Sequence, residues 1–144
     1  NRVDHAHSGA ILSYNILKDM GMPVEERTEI MMAIGNHDES AAFPVNPIAA
    51  ALLIADKSDV RNSRVRNTDI SSFDIHDRVN YAVKENKLKI TRDSHIELKL
   101  KIDKSMCAVM DYFEIFLQRM ILCRKSAEVL GLEFWLTINK QRVI

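Results

Sequence analysis

Three side chains that commonly bind divalent metal ions, His5, His37 and Asp56, occur in the first half of the sequence. Leu12 and Ile16 follow His5 at helical spacing, so we expect His5 to point the same way as core residues. Imidazole nitrogen and carboxylate oxygen together are typical ligands of iron, manganese or zinc. The spacing therefore predicts that three neighbouring helices bring His5, His37 and Asp56 to one metal ion.

Asp56 ends an almost unbroken run of aliphatic and alanine residues that begins at Pro47. An ionised carboxylate at the end of a buried run is costly to desolvate unless a cation meets it. A metal ion would supply that cation. The alternatives are that Asp56 pairs with Arg61 or Arg64, or lies where its helix emerges into solvent. Without a metal ion, each inward histidine would be a hydrogen-bonded residue of the core or of a helix end.

Basic residues follow Asp56 closely, at Lys57, Arg61, Arg64 and Arg66. Because a guanidinium fork matches the oxygens of a phosphate group, we expect Arg61 to bind a substrate phosphate beside the metal. Lys57 is the second candidate for that role. The alternative is a solvated helix end, where basic side chains complement the helix dipole.

The elements that must position these residues are helices, which the apolar periodicity predicts up to about residue 66. The three predicted helices read HAHSGAILSYNILKDMG, MPVEERTEIMMAIGNH and PIAAALLIADKSDVRNSR. Gly21 is a plausible C-cap for the first, and Pro23 suits the first turn of the second. The third is apolar on all sides at first, which predicts a central position.

The second half of the chain has a different pattern. Residues 67–85 are predicted to be a linker with a short helix, HDRVNYAVKE. From residue 86 apolar residues alternate with charged ones on both sides of TRDS, which predicts a hairpin. A long amphipathic helix from about 105 to 130 and a strand, EFWLTIN, complete a ββαβ unit over 86–144. The predicted fold class is α+β, with a helical part over 1–66 followed by a small antiparallel sheet.

The composition narrows the class of protein further. A chain of 144 residues, 47% of them hydrophobic, can form one ordinary domain or two small units. Its formal net charge of zero gives no steering toward nucleic acid or an anionic membrane. No apolar segment has transmembrane length. With two cysteines placed far apart on the predicted long helix, we expect no disulfide and a reducing, cytoplasmic setting.

The ordered segments HAHSGA, AIGNHDE and LLIADKSDVRNSR resemble the second half of the HD-domain family of metal-dependent phosphohydrolases, over about residues 3 to 66. The resemblance implies that His5, His37 and Asp56 are metal ligands, with Asp38 where some members have another histidine. It implies a divalent ion, iron or manganese being favoured over zinc or magnesium, and a phosphorylated small molecule or nucleotide as substrate. The family's first His and its His-Asp pair would precede His5, so we expect the rest of the helical domain upstream.

A second hypothesis is that the chain is a non-catalytic regulatory or dimerisation module that retains an HD-like scaffold. In this view the edge of the hairpin pairs with a second copy, giving a homodimer. The helix rich in methionine and phenylalanine would leave an apolar stripe for the same contact. The sequence identifies no general acid or base, and the ββαβ unit has no motif that indicates chemistry.

Overall fold

A computed structural model describes residues 4–39 and 42–144. These residues form five α-helices and four β-strands. In chain order they are α1 (His5–Asp19), α2 (Val24–Gly35), α3 (Pro47–Lys57), α4 (Ile75–Ala82), β1 (Val83–Thr91), β2 (His95–Ile102), α5 (Val109–Val129), β3 (Glu133–Ile138) and β4 (Gln141–Arg142). The helices largely precede the sheet, so the predicted α+β class is confirmed.

Helix α3 begins where the sequence predicts and ends earlier. The Asn46 side chain accepts a hydrogen bond from the Ala49 backbone amide at 2.7 Å, and proline occupies the first turn. The helix was predicted to continue to Arg64, but it stops at Lys57. The chain leaves the helical path after Ser58, and Val60, three residues beyond the end of α3, is fully buried.

Helix α1 packs on α2 through small residues. Its buried residues are Ala6 and Ala10, whereas Leu12 and Ile16 are 62% and 50% exposed. The prediction that these two larger residues face the core is therefore wrong. The apolar periodicity was correctly recognised, but it is the alanine face of α1 that packs on α2. The face that carries Leu12 and Ile16 has no covering element among the described residues.

The sheet has the strand order β1-β2-β3-β4. The predicted hairpin is present, since β1 pairs antiparallel with β2 and places Leu88 opposite Leu98. Strand β3 runs parallel to β2, with Leu98 opposite Leu136, so the sheet is mixed and not wholly antiparallel. The reason is the connection: α5 crosses the sheet and returns the chain to the starting end of β2. Strand β1 also begins at Val83, where the short helix was predicted to continue.

Helix α5 lies between the sheet and α3, and one apolar core joins all three. Its buried face carries Tyr112, Phe116, Met120 and Cys123. From α3 and the turn after it, Ile54 and Val60 belong to the same core as the strand residues. Within the described ranges, no helix is both long and apolar enough to cross a membrane.

The side chain of Asn86 ties this sheet to the end of α3. Its amide nitrogen donates to the backbone carbonyls of Ser58 and Val60, at 2.6 and 2.9 Å. Replacement by alanine would leave both partly buried carbonyls without this donor. We expect Asn86→Ala to lower the free energy of unfolding by about 1–3 kcal/mol, measured by urea denaturation.

The matched control is Asn62→Ala, because the Asn62 side chain is exposed and makes no hydrogen bond within the described residues. We expect this variant to unfold within about 0.5 kcal/mol of the unmodified protein. Equal losses in the two variants would contradict the role given to Asn86.

Candidate functional site

An open cleft of about 500 Å³ contains most of the residues singled out in the sequence. It forms where the start of α1 and the residues after α2 face the end of α3 and the middle of α5. The lining side chains are His5, His37, Asp38, Glu39, Asp56, Lys57, Arg64 and Arg119.

The two histidines of the cleft contact each other directly. The Nε2 atoms of His5 and His37 are 3.1 Å apart, with the rings nearly perpendicular. The His37 Nδ1 atom lies 2.6 Å from the carbonyl oxygen of Ile34. Since a carbonyl only accepts, Nδ1 carries the hydrogen, and the Nε2 lone pair of a neutral His37 points toward His5.

A close crossing of α1 and α2 brings the two histidines together. A Cβ atom added at Gly9 would lie 3.4 Å from Cγ2 of Ile34, at van der Waals contact, so the two helices pack closely at this point. Gly35 ends α2 on the same side, and His37 follows two residues later. His5 is the first residue of α1, about one turn before Gly9. Close packing of α1 on α2 through these small residues therefore brings the two imidazoles together.

Asp56 meets a cation that the sequence analysis had not paired with it. Its Oδ2 atom lies 2.6 Å from Nζ of Lys57, whose own side chain is almost fully buried. Burial by itself would raise the pKa of Asp56. The hydrogen bond and charge of Lys57, together with His37 and Arg119, outweigh that effect and hold the pKa below its ordinary value. Asp56 is thus ionised at neutral pH.

The arginines after α3 pair with a different carboxylate. Arg61 Nε lies 2.8 Å from Oδ1 of Asp59, and Arg64 Nη1 lies 3.1 Å from Oδ2 of the same residue. The alternative in which Asp56 pairs with Arg61 or Arg64 is therefore wrong. Arg64 still lines the cleft, whereas Arg61 borders a neighbouring groove beside Asn86. Lys57 therefore lies in the cleft with the histidines, whereas Arg61 lies outside it.

Arg119 was absent from the sequence analysis, and Glu39 appeared there only as the last residue of AIGNHDE, with no role given to it. Arg119 donates through Nε to Oε2 of Glu39 at 3.0 Å. Arg119 interrupts the apolar run of α5, three residues after Phe116 and one before Met120. A basic residue in such a run could have been recognised as half-buried. Which residues Arg119 contacts depends on how α5 packs against α3, and the local sequence pattern does not predict that packing.

The donor chemistry fits a metal ion in part. Metal–nitrogen bonds of 2.0–2.1 Å place two ligand nitrogens roughly 3.0–3.4 Å apart, so the histidine pair suits two ligands of one ion. Across residues 4–39 and 42–144, however, no three His, Cys, Asp or Glu side chains form a group that could hold a metal ion. For Asp56 to be the third ligand, its carboxylate would have to leave Lys57 and bind the metal ion instead. Otherwise the third ligand would have to be another donor. Asp38 lines the same cleft.

Comparison with known proteins gives no relative: no family model, no curated protein and no solved structure matches this chain. Its function is therefore inferred from the chemistry of the cleft.

The ion pair between Asp56 and Lys57 predicts unequal effects of removing its two members. Asp56→Ala leaves a buried ammonium without its carboxylate, so we expect the free energy of unfolding to fall by about 1–3 kcal/mol at pH 7. Lys57→Met replaces the ammonium with an apolar side chain of similar length and should cost less. Urea denaturation of chelator-treated protein measures both.

The effect of Asp56→Ala should also depend on pH. A carboxyl group whose pKa is lowered by folding contributes stability that is complete above its ordinary pKa of 3.8 and is lost as the pH falls through the folded value. The difference between Asp56→Ala and the unmodified protein should therefore shrink in acid. A larger loss from Lys57→Met than from Asp56→Ala at pH 7 would contradict this account.

Proposed function

We propose that the chain carries the metal-binding cleft of a phosphohydrolase that acts on phosphate esters or nucleotides. The observation that carries the proposal is the contact between the Nε2 atoms of His5 and His37, 3.1 Å apart, with the tautomer of His37 set by Ile34. A backbone carbonyl that orients a histidine in this way is typical of metal ligands. The resemblance of residues 3–66 to the HD-domain family agrees with it.

In this proposal each cleft residue has a stated role. His5 and His37 bind a divalent ion through Nε2, and Asp56 is the third ligand once its carboxylate leaves Lys57. Asp38 is a further candidate ligand. Iron or manganese is favoured, with zinc or magnesium as alternatives. The bound ion would polarise a phosphoryl oxygen and activate a water molecule for attack.

A metal ion would strengthen the attraction of the cleft for an anionic substrate. Three carboxylates line it, and three basic side chains balance them. The cleft therefore has no excess of positive charge from these side chains alone. A divalent ion would make it positive, which favours a phosphate group. Lys57, released from Asp56 when that carboxylate binds the ion, would be free to bind a phosphate oxygen.

The test is elemental analysis of chain purified without chelator, beside its His37→Ala and His76→Ala variants. His76 is an exposed histidine of α4 outside the cleft. We expect near-stoichiometric iron, manganese or zinc in the unmodified protein and in His76→Ala. We expect His37→Ala to contain no metal, because this substitution removes one of the two imidazoles that bind the ion. Circular dichroism should show that both variants keep their helices.

Full metal content in a folded His37→Ala variant would contradict the proposal. Absence of metal from all three proteins, with none taken up from added Mn²⁺ or Fe²⁺, would contradict it as well.

A second candidate function, self-association through the sheet, has its own supporting observation. Strand β1 is at an edge of the sheet, and its outer backbone groups have no partner strand among the described residues. Leu88 and Ile90 project from one face of this strand and are 39% and 65% exposed. An unpaired edge with exposed apolar side chains favours pairing with a second copy.

Light scattering tests this second candidate. If two copies pair along β1, Ile90→Lys should convert a dimer to a monomer, whereas Ile11→Lys on α1, where the isoleucine is equally exposed, should not. A monomeric unmodified protein at micromolar concentrations would exclude a stable dimer of this kind.

A further inference from the structure

The three cations of the cleft differ in how many of their hydrogen-bond donors are in use. The Lys57 ammonium donates a hydrogen bond to Oδ2 of Asp56 at 2.6 Å. Arg64 bonds through Nη1 to both the backbone and the side chain of Asp59, so one of its two terminal amino groups is already in use. Arg119 uses Nε alone, on Glu39, and makes no other hydrogen bond within the described residues. Both terminal amino groups of Arg119 are therefore without a protein partner among the described residues, and the side chain is 25% exposed.

The guanidinium of Arg119 is also held in a defined place. Its carbon lies 5.0 Å from the ring centroid of Phe116, a distance at which a cation and an aromatic ring attract. Phe116 is buried in the core, as is Met120 on the other side of Arg119 in the chain. Glu39 fixes the Nε edge. A side chain held in this way loses little freedom on binding a ligand, because it is already ordered.

The chemistry of the open edge points to a phosphate. Arginine presents parallel N–H groups that match two oxygens of a phosphate group, and these charge-assisted bonds are among the strongest in proteins. The same cleft contains the histidine pair and Asp56. An anion bound by Arg119 would therefore lie in the space that these side chains also face.

We propose that Arg119, a residue of α5, binds the substrate phosphate in the histidine cleft. This inference rests on the proposed function, because it assigns Arg119 to the same site. The substrate contact expected at Arg61 is thus supplied by Arg119, which lies 58 positions later in the chain. The site is then built from both parts of the molecule, with the histidines on the helical part and the phosphate-binding arginine on the ββαβ unit.

The experiment is calorimetric titration of the full chain with inorganic phosphate, once after chelation and once loaded with one equivalent of Mn²⁺. We expect Arg119→Gln to weaken phosphate binding at least about tenfold in both forms, because two charge-assisted hydrogen bonds are lost. Arg119→Lys should recover binding only in part, since an ammonium keeps the charge but not the fork. Metal content should be unchanged in both variants.

Two further variants separate binding from structure. Arg124→Gln is the matched control, because Arg124 lies on the same helix, outside the cleft, with a 57% exposed side chain. It should bind phosphate as the unmodified protein does. Glu39→Gln removes the charge of the carboxylate that holds Arg119 but keeps the guanidinium, so phosphate affinity should be maintained or raised. Thermal melts show whether each variant is folded.

The outcomes are distinct. Phosphate binding at unchanged affinity in folded Arg119→Gln would overturn the inference, and so would its absence from the unmodified protein in both forms. Equal losses of phosphate affinity in Glu39→Gln and Arg119→Gln would also overturn it. Binding would then depend on the ion pair between Glu39 and Arg119 and not on the unbonded amino groups of Arg119. Failure to take up metal would overturn the proposed function, while the comparison in chelated protein would still decide the role of Arg119.

Discussion

The ion pair at the end of α3 is the constraint on which the cleft depends. Helix α3 is packed between α2 and α5, so almost all of its surface is apolar, yet its last residue is a lysine with a buried side chain. An ammonium in such a place is costly to desolvate unless a carboxylate is beside it. Asp56 is that carboxylate. The pair lets a buried helix end in charged side chains, and it places those charges beside the histidines.

The histidine pair depends on a second constraint, the closeness of α1 and α2. A Cβ atom at Gly9 would already be in van der Waals contact with the Ile34 side chain, so a residue larger than alanine would press against α2. Small residues at a helix crossing are usually read as packing. Here the same packing determines the separation of two imidazole nitrogens, which links the geometry of the site directly to the stability of the helix pair.

Local patterns predicted the elements of this fold better than their contacts. The period of the apolar residues was enough to predict the first three helices and the hairpin, but not where the helices end: His37 was predicted on the second helix and lies two residues beyond α2. The direction of β3 was not predictable in this way, because it depends on the path of α5 over the sheet. Leu12 and Ile16 show a related limit: a periodic pattern identifies an apolar face but does not say whether anything covers it. The partners of Asp56 and Arg119 depend on packing between distant segments, and no local rule contains them.

The distances along the chain between these partners imply an order of assembly. His5 and His37 are 32 residues apart, whereas Glu39 and Arg119 are separated by 80. Contacts between residues close in sequence form with a smaller loss of chain entropy, so the helix pair can form before α5 has docked. Until then Glu39 lacks the guanidinium that neutralises it, so the segment after α2 carries more uncompensated negative charge than in the folded protein. A cation would be attracted to Glu39 and its neighbours more strongly before α5 docks than after.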